Sequence, residues 1–203
     1  MQLFGSTTSP YVRRIRLYLA LLANQNIISG ESYQFVNLDI FSAQDREKLI
    51  KDNPTLKVPY LIDGEQRIFD SRIIYRYLAE KFSQPALSWQ EENMLTLMDA
   101  ANDSFVTLFL TKRSGLDNKQ DSLFFNLQNE RVGIIMHQLN EALLNGNFNA
   151  WNYPSICLFS LLDWANLREL YPFAEFPALL KWLNKCKLQT NITDAILKTD
   201  PRN

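Results

Sequence analysis

Cysteine is scarce: Cys157 and Cys186 stand in helix-like stretches without C-x-x-C spacing. That argues against a disulfide framework, a zinc site and dithiol redox chemistry, and leaves two buried reduced thiols. Histidine is scarcer still. His137 stands alone in a helical pattern with no partner motif and reads as structural. Neither sign of charge prevails, since Lys plus Arg number 21 against 22 for Asp plus Glu. The chain therefore lacks the basic field that draws nucleic acid or a membrane surface, and neither is an expected partner. No apolar run is long enough to span a bilayer, and Met1 leads within two residues into a strand, so neither a transmembrane helix nor a secretory signal is expected. The expected location is the cytoplasm. Internal repeats and low-complexity segments are missing too. What remains is an ordinary globular mixture, 46% hydrophobic and 21% charged, with enough apolar material for a sizeable core.

Read in order, Gln2 to Gly5 forms a first strand, and the polar run Ser6-Thr7-Thr8-Ser9 follows as a loop. Pro10 starts a helix, because its missing N–H costs nothing in the first turn, and Ser9 is placed to cap it. Val12, Ile15, Leu19 and Leu22 make one buried face. Tyr33 to Ile40 has apolar residues on both parities and suits a central strand covered on both faces. Ala43 to Lys51 is a short helix that stops before Asn53-Pro54.

The stretch Asn53 to Ser71, NPTLKVPYLIDGEQRIFDS, holds two strand-like runs, Val58 to Ile62 and Arg67 to Phe69. Asp63-Gly64 joins them and tolerates a tight turn. Pro59 cannot donate to a ladder, and a cis Val58-Pro59 bond would turn the chain and leave a main-chain amide free. An extended peptide laid along Val58 could pair with it as an extra strand does. Ser71 then reads as the N-cap of a helix whose amides point toward an anion, with Ile74, Tyr77, Leu78 and Phe82 on one side.

From Trp89 the strand alternation gives way to long helical periods. One helix carries Met94, Met98, Ala101, Phe105, Leu108 and Phe109 on a stripe and ends at Ser114-Gly115. Asp121 to Leu144 is a second, with Leu123, Leu127, Ile134 or Ile135, and Leu139 inward. Ile156 to Leu167 is apolar nearly all round and reads as the buried centre of this half. Phe176-Pro177 opens a fourth, with Leu179, Leu180, Leu183 and Leu188 inward, and one more short helix follows Thr190. The expected domains are 1–82 and 89–203, with 83–88 as linker.

The N-P-x-x-x-V-P pattern, the D-G hairpin, the acidic residue followed by Ser71, the Ser-Pro-Tyr-Val-Arg-Arg helix start and LLDWANLR near Leu161 together resemble the glutathione S-transferase family, in its serine-type bacterial form. The resemblance covers essentially the whole chain. It implies a thioredoxin-like α/β N-terminal domain, βαβαββα with a mixed sheet, followed by an all-α C-terminal domain. It also implies glutathione as co-substrate, a small hydrophobic electrophile or a hydroperoxide as the other substrate, a detoxification role, and a homodimer. The alternative is a non-catalytic interaction or regulatory module of the same fold.

Glutathione chemistry needs a thiolate, whereas an ordinary thiol titrates at about 8.5. A hydroxyl at a helix N-terminus stabilises that anion by a hydrogen bond and by the helix dipole. Under the resemblance Ser9 takes this catalytic role, with Thr7, Thr8 and Tyr11 as rival hydroxyls and a plain N-cap as the alternative. Asp70 would pair with the γ-glutamyl ammonium, Ser71 and the helix amides with its carboxylate, Val58 and Pro59 with the peptide, and Lys57 with the glycyl carboxylate. Most relatives carry Glu or Gln where Asp70 stands. Arg13, Arg14 and Arg16 either attract an anionic ligand or form a solvated face. Tyr11, Phe105, Phe109 and Arg113 are candidates for the electrophile pocket, expected between the domains. The central helix lacks a Ser155-x-x-Asp capping box, because position 158 is Leu, and Asp163 within it needs a buried donor. No metal site is expected.

Overall fold

The computed structural model describes residues 1–201, apart from the side chains of residues 190 and 191. Its elements in order are β1 (Gln2–Gly5), α1 (Pro10–Asn24), β2 (Gln34–Asn37), α2 (Ala43–Asp52), β3 (Tyr60–Asp63), β4 (Gln66–Phe69), α3 (Ser71–Lys81), α4 (Trp89–Arg113), α5 (Leu123–Leu144), α6 (Tyr153–Leu167), a 3₁₀ turn Phe173–Glu175, α7 (Pro177–Lys187) and α8 (Thr190–Lys198). These form two compact units. One runs from Met1 to Ala86 and takes in the chain from Gln189 onward, and the other is Leu87–Leu188. The sequence reading had placed everything after residue 88 in the helical half.

The first unit is the thioredoxin-like βαβαββα arrangement. Its sheet runs β2-β1-β3-β4, with β1 and β2 parallel and the other pairs antiparallel. Gly5 ends β1 against the first turn of α1, where a Cβ would lie 2.4 Å from Val12 Cγ2, so only glycine allows this approach. Phe4 stacks on Tyr60 across the β1–β3 pair at 4.6 Å between centroids, and both pack with Leu38 and Leu49. The expectation of a central strand for residues 33–40 is corrected. Among the described residues β2 is an edge strand paired only with β1, and Phe35 and Val36 are half-buried between exposed Gln34 and Asn37. The apolar run reflected contact with the adjoining helices rather than a neighbour on each side. The hairpin's two-residue connection is Gly64-Glu65, one position later than predicted, with Gly64 at φ +58°.

Helix α8 belongs to this unit because α1 holds its end. Arg13 Nη2 donates to Ile196 O at 3.4 Å and Nε to Thr199 Oγ1 at 3.5 Å, while Arg16 Nη2 donates to Lys198 O at 2.7 Å. Two cations thus sit on the carbonyl end of a helix, where the dipole is negative. Arg13 is only 2% exposed, which overturns both sequence readings of it.

In the second unit, α4 opens on a capping box, with Ser88 and Glu91 each satisfying the other's backbone N–H. Every residue of α6 from Tyr153 to Ala165 is buried, as its all-round apolarity requires. Its cap is Asn152, which accepts from Ser155 N at 3.2 Å, and Ser155 donates back to Ala150 O at 2.6 Å. Asp163 finds its buried donor in Lys187 of α7. The inward face of α5 is Phe125, Val132, Ile135, Met136, Leu139 and Ala142, a correction of the predicted stripe. Leu123 is 77% exposed, and Leu127 and Ile134 also face outward. Two apolar stripes share that helix, so periodicity alone does not choose between them. Leu188, expected inward, lies beyond α7 and is 81% exposed. Among the described residues no helix is long and apolar enough to cross a membrane.

Candidate functional site

Strand register assembles the site. Phe4 of β1 pairs with Tyr60 of β3, and Tyr60 with Phe69 of β4. The three segments that leave these positions, the loop carrying Ser9, the Lys57-Val58-Pro59 approach to β3 and the Asp70-Ser71 exit from β4, therefore meet at one end of the sheet. Of the candidate residues named from the sequence, Ser9, Lys57, Val58, Pro59, Asp70 and Ser71 lie on these segments and Tyr11 in the first turn of α1.

Ser9 is the N-cap of α1. Its Oγ accepts from Val12 N at 3.3 Å, and among the described residues no group accepts its proton. The hydroxyl is half-buried at the positive end of a fifteen-residue helix. Of the rival hydroxyls, Thr8 Oγ1 pairs with Ser6 Oγ at 2.9 Å, and Thr7 is fixed through its N–H to Asn37 Oδ1 at 3.1 Å. Tyr11 lies under the Arg14 guanidinium, 5.0 Å from ring centroid to Cζ.

The Val58–Pro59 peptide bond is cis. Pro59 is buried and Val58 half-buried, and among the described residues the main-chain N–H and C=O of Val58 have no hydrogen-bond partner. The loop ahead of them is held by Asn53, wholly buried, which donates from Nδ2 to Lys57 O at 2.7 Å and accepts from Thr55 N at 3.0 Å and Thr55 Oγ1 at 2.8 Å. Sequence reasoning passed over this residue as a helix stop. The signal was an asparagine before proline with a threonine two residues on, a pattern suited to an Asx turn. Lys57 is exposed.

The N-cap of α3 is Asp70 rather than Ser71. Asp70 adopts φ +69°, and its Oδ1 accepts from Arg72 N at 2.8 Å and Ile73 N at 3.4 Å. Its Oδ2 has no partner among the described residues and the side chain is exposed, so one carboxylate oxygen faces outward. Ser71 is the first helical residue, buried, and its Oγ accepts from Arg14 Nη2 at 2.5 Å. Arg14 thus ties the helix that Ser9 caps to the start of α3, a contact that Arg-rich composition alone did not announce.

The three candidates in the helical unit lie on α4 and differ in what they offer. Phe105 is 0% exposed and packs edge-on against Tyr171 at 6.0 Å, so it is core and presents no surface to a ligand. Phe109 is half-buried against Trp164 at 5.6 Å, and Arg113 is exposed in the last turn. His137 meets the Phe176 ring edge-on at 4.8 Å. Cys157 and Cys186 are free and buried, and burial pushes the Cys186 thiol up to about 12, with Lys185 acting the other way. Among the described residues no cluster suited to a metal ion occurs.

Residues 3–86 match the family model of the glutathione S-transferase N-terminal domain. The match covers less than half of the chain and marks this stretch as similar to that domain. Similar proteins include glutathione S-transferase F10 of Arabidopsis thaliana, 41% identical over 54 residues, 26% of this chain and 25% of that one. A stringent starvation protein A homolog of Haemophilus influenzae is 27% identical over 139 residues, 66% of this chain and 61% of that one. The matched region thus spans less than two thirds of either relative. A glutathione S-transferase of Methylobacillus flagellatus, crystallised with glutathione bound, superposes with a TM-score of 0.75 at 20% identity, covering 96% of this chain and 98% of that one, a likeness of fold.

Proposed function

We propose that the chain is a glutathione transferase. The observation that carries this is Val58, whose N–H and C=O have no partner among the described residues and lie beside the Ser9 hydroxyl loop and the Asp70-Ser71 exit at one end of the sheet. Glutathione lies along Val58 as an added strand. The outward oxygen of Asp70 takes its ammonium, Ser71 its carboxylate, and Lys57 the glycyl end. Ser9 accepts from Val12 and donates its free proton to sulfur, so the cap and the thiolate contact are compatible. Lowering the thiol pKa by about two units asks roughly 2.7 kcal/mol of that contact and the helix dipole. The thiolate then attacks an electrophile or reduces a hydroperoxide, the protein supplying orientation. Tyr11, Phe109 and Arg113 are the remaining candidates for the electrophile side, and detoxification in the cytoplasm is the setting this chemistry suits. A homodimer accompanies this reading, supported by the outward apolar stripe of Leu123, Leu127 and Ile134 on α5, and sedimentation tests it.

Isothermal titration with glutathione tests the reading. Binding that weakens in Asp70→Asn is expected, and absence of binding overturns it. The competing reading, a non-catalytic module of this fold, draws on the helix-capping role of Asp70 and the Arg14 contact of Ser71, which explain both residues without a ligand.

A further inference from the structure

Phe105 and Phe109 stand one turn apart on the same face of α4, within the helical unit. Tyr171 packs on the first ring, and the guanidinium of Arg168, at the C-cap of α6, lies over the second with Cζ 5.3 Å from the centroid. Trp164 meets the same Phe109 ring edge-on at 5.6 Å. Among the described residues Arg168 has no hydrogen-bond acceptor and no ion-pair partner, and its Nε is sealed from solvent. That is an unusual state for arginine, whose five donors in a rigid fork match a carboxylate in bidentate fashion. The other partly buried cation of this unit, Lys187, is paired with Asp163. A sealed donor without an acceptor calls for an explanation, and a guanidinium fork held over an aromatic ring is an arrangement that can receive a planar anion.

We propose that Arg168 and Phe109 form a subsite for an aromatic carboxylate, the ring of the ligand resting on the aromatic cluster and its carboxylate on the guanidinium. The proposal deepens the transferase reading and rests on it for one point only, that this acid is the electrophilic second substrate. With 4-chloro-3-nitrobenzoate, the glutathione thiolate forms an S–C bond at the chlorine-bearing carbon, the C–Cl bond breaks, and chloride leaves with the bonding pair.

The test is calorimetric titration of the full chain, without glutathione, with 4-chloro-3-nitrobenzoate and separately with its methyl ester. The parent is expected to prefer the acid, and Arg168→Leu to shift the acid-to-ester affinity ratio by about tenfold toward the ester, the loss expected of a charge-assisted pair. Phe109→Leu weakens both probes. Should Arg168→Leu fail to fold, as judged by circular dichroism, Arg168→Gln keeps the length of the side chain without its charge and is expected to shift the ratio the same way. No acid binding by the parent, or an unchanged ratio in a folded Arg168 variant, overturns the proposal. Separate titrations with the acid and with glutathione distinguish the two ideas: acid binding without glutathione binding leaves the subsite standing and removes the transferase, and glutathione binding without acid binding does the reverse.

Discussion

Arg14 Nη2 donates to Ser71 Oγ at 2.5 Å, with both residues buried, and so couples the first helix to the first residue of the third. Removing the acceptor by Ser71→Ala leaves a buried cationic donor short of one partner, at a cost of about 1–3 kcal/mol. Chemical denaturation should register that loss. The same substitution removes a proposed carboxylate contact, so glutathione affinity should fall about tenfold. Stability lost without any change in affinity would assign Ser71 to the fold alone.

A second prediction concerns the end of the chain. Arg13 and Arg16 hold the last carbonyls of α8, and Ile192 and Ile196 are buried beneath that helix. In Arg13→Met, hydrogen exchange at the Ile192 and Ile196 amides should accelerate while amides in the helical unit keep their protection. Uniform acceleration through both units would show that α8 is not a separately held element.

A third prediction is a pH dependence. Burial pushes the Asp63 carboxyl up, but hydrogen bonds from Lys81 and Tyr77 together with the Lys81 charge outweigh it, and the group lies below its usual range. A depressed carboxyl contributes stability that is complete above the ordinary value of about 3.9 and is lost as pH falls through the folded value. Asp63→Asn should therefore be less stable than the parent at neutral pH, and the gap should close in acid. Lys81 is partly exposed, so the difference should be small and reduced by salt. A gap that persists at low pH would trace it to the altered side chain rather than to its charge.

The hairpin, the Pro10 helix start and the buried α6 were legible because each rests on local chemistry: a turn residue, a proline and unbroken apolarity. The resemblance to the transferase family likewise followed from short contiguous patterns, and the family model matches residues 3–86, which hold all of them except LLDWANLR near Leu161. What stayed hidden depends on contacts distant in sequence. Arg13 looked solvated because its acceptors, Ile196 and Thr199, lie at the far end of the chain. Leu123 and Leu127 looked like core because α5 bears two apolar stripes and only packing selects Phe125 and Val132. The cap of α3 was misplaced by one residue because Asp70 and Ser71 are both good caps, and the positive φ of Asp70 settles which one turns the chain. Asn53 escaped notice because its work is done by a buried side chain stapling a loop.

That staple gives a fourth prediction. Asn53→Ala removes three hydrogen bonds from a wholly buried position and leaves Lys57 O and Thr55 N to find other partners. A loss of about 1–3 kcal/mol is expected in denaturant. Glutathione affinity should fall as well, because the loop leads directly into Val58. An unaltered affinity would separate the loop from the site.

The account turns most on whether a hydroxyl at the head of α1 holds a sulfur anion. Ultraviolet thiolate absorbance, followed against pH with glutathione saturating the parent and Ser9→Ala, measures this directly. The account predicts that bound glutathione in the parent titrates about two units below the ordinary thiol value of about 8.5, and that Ser9→Ala still binds but titrates near the ordinary value. Equal titration curves for the two proteins, or an ordinary value in the parent, would contradict it.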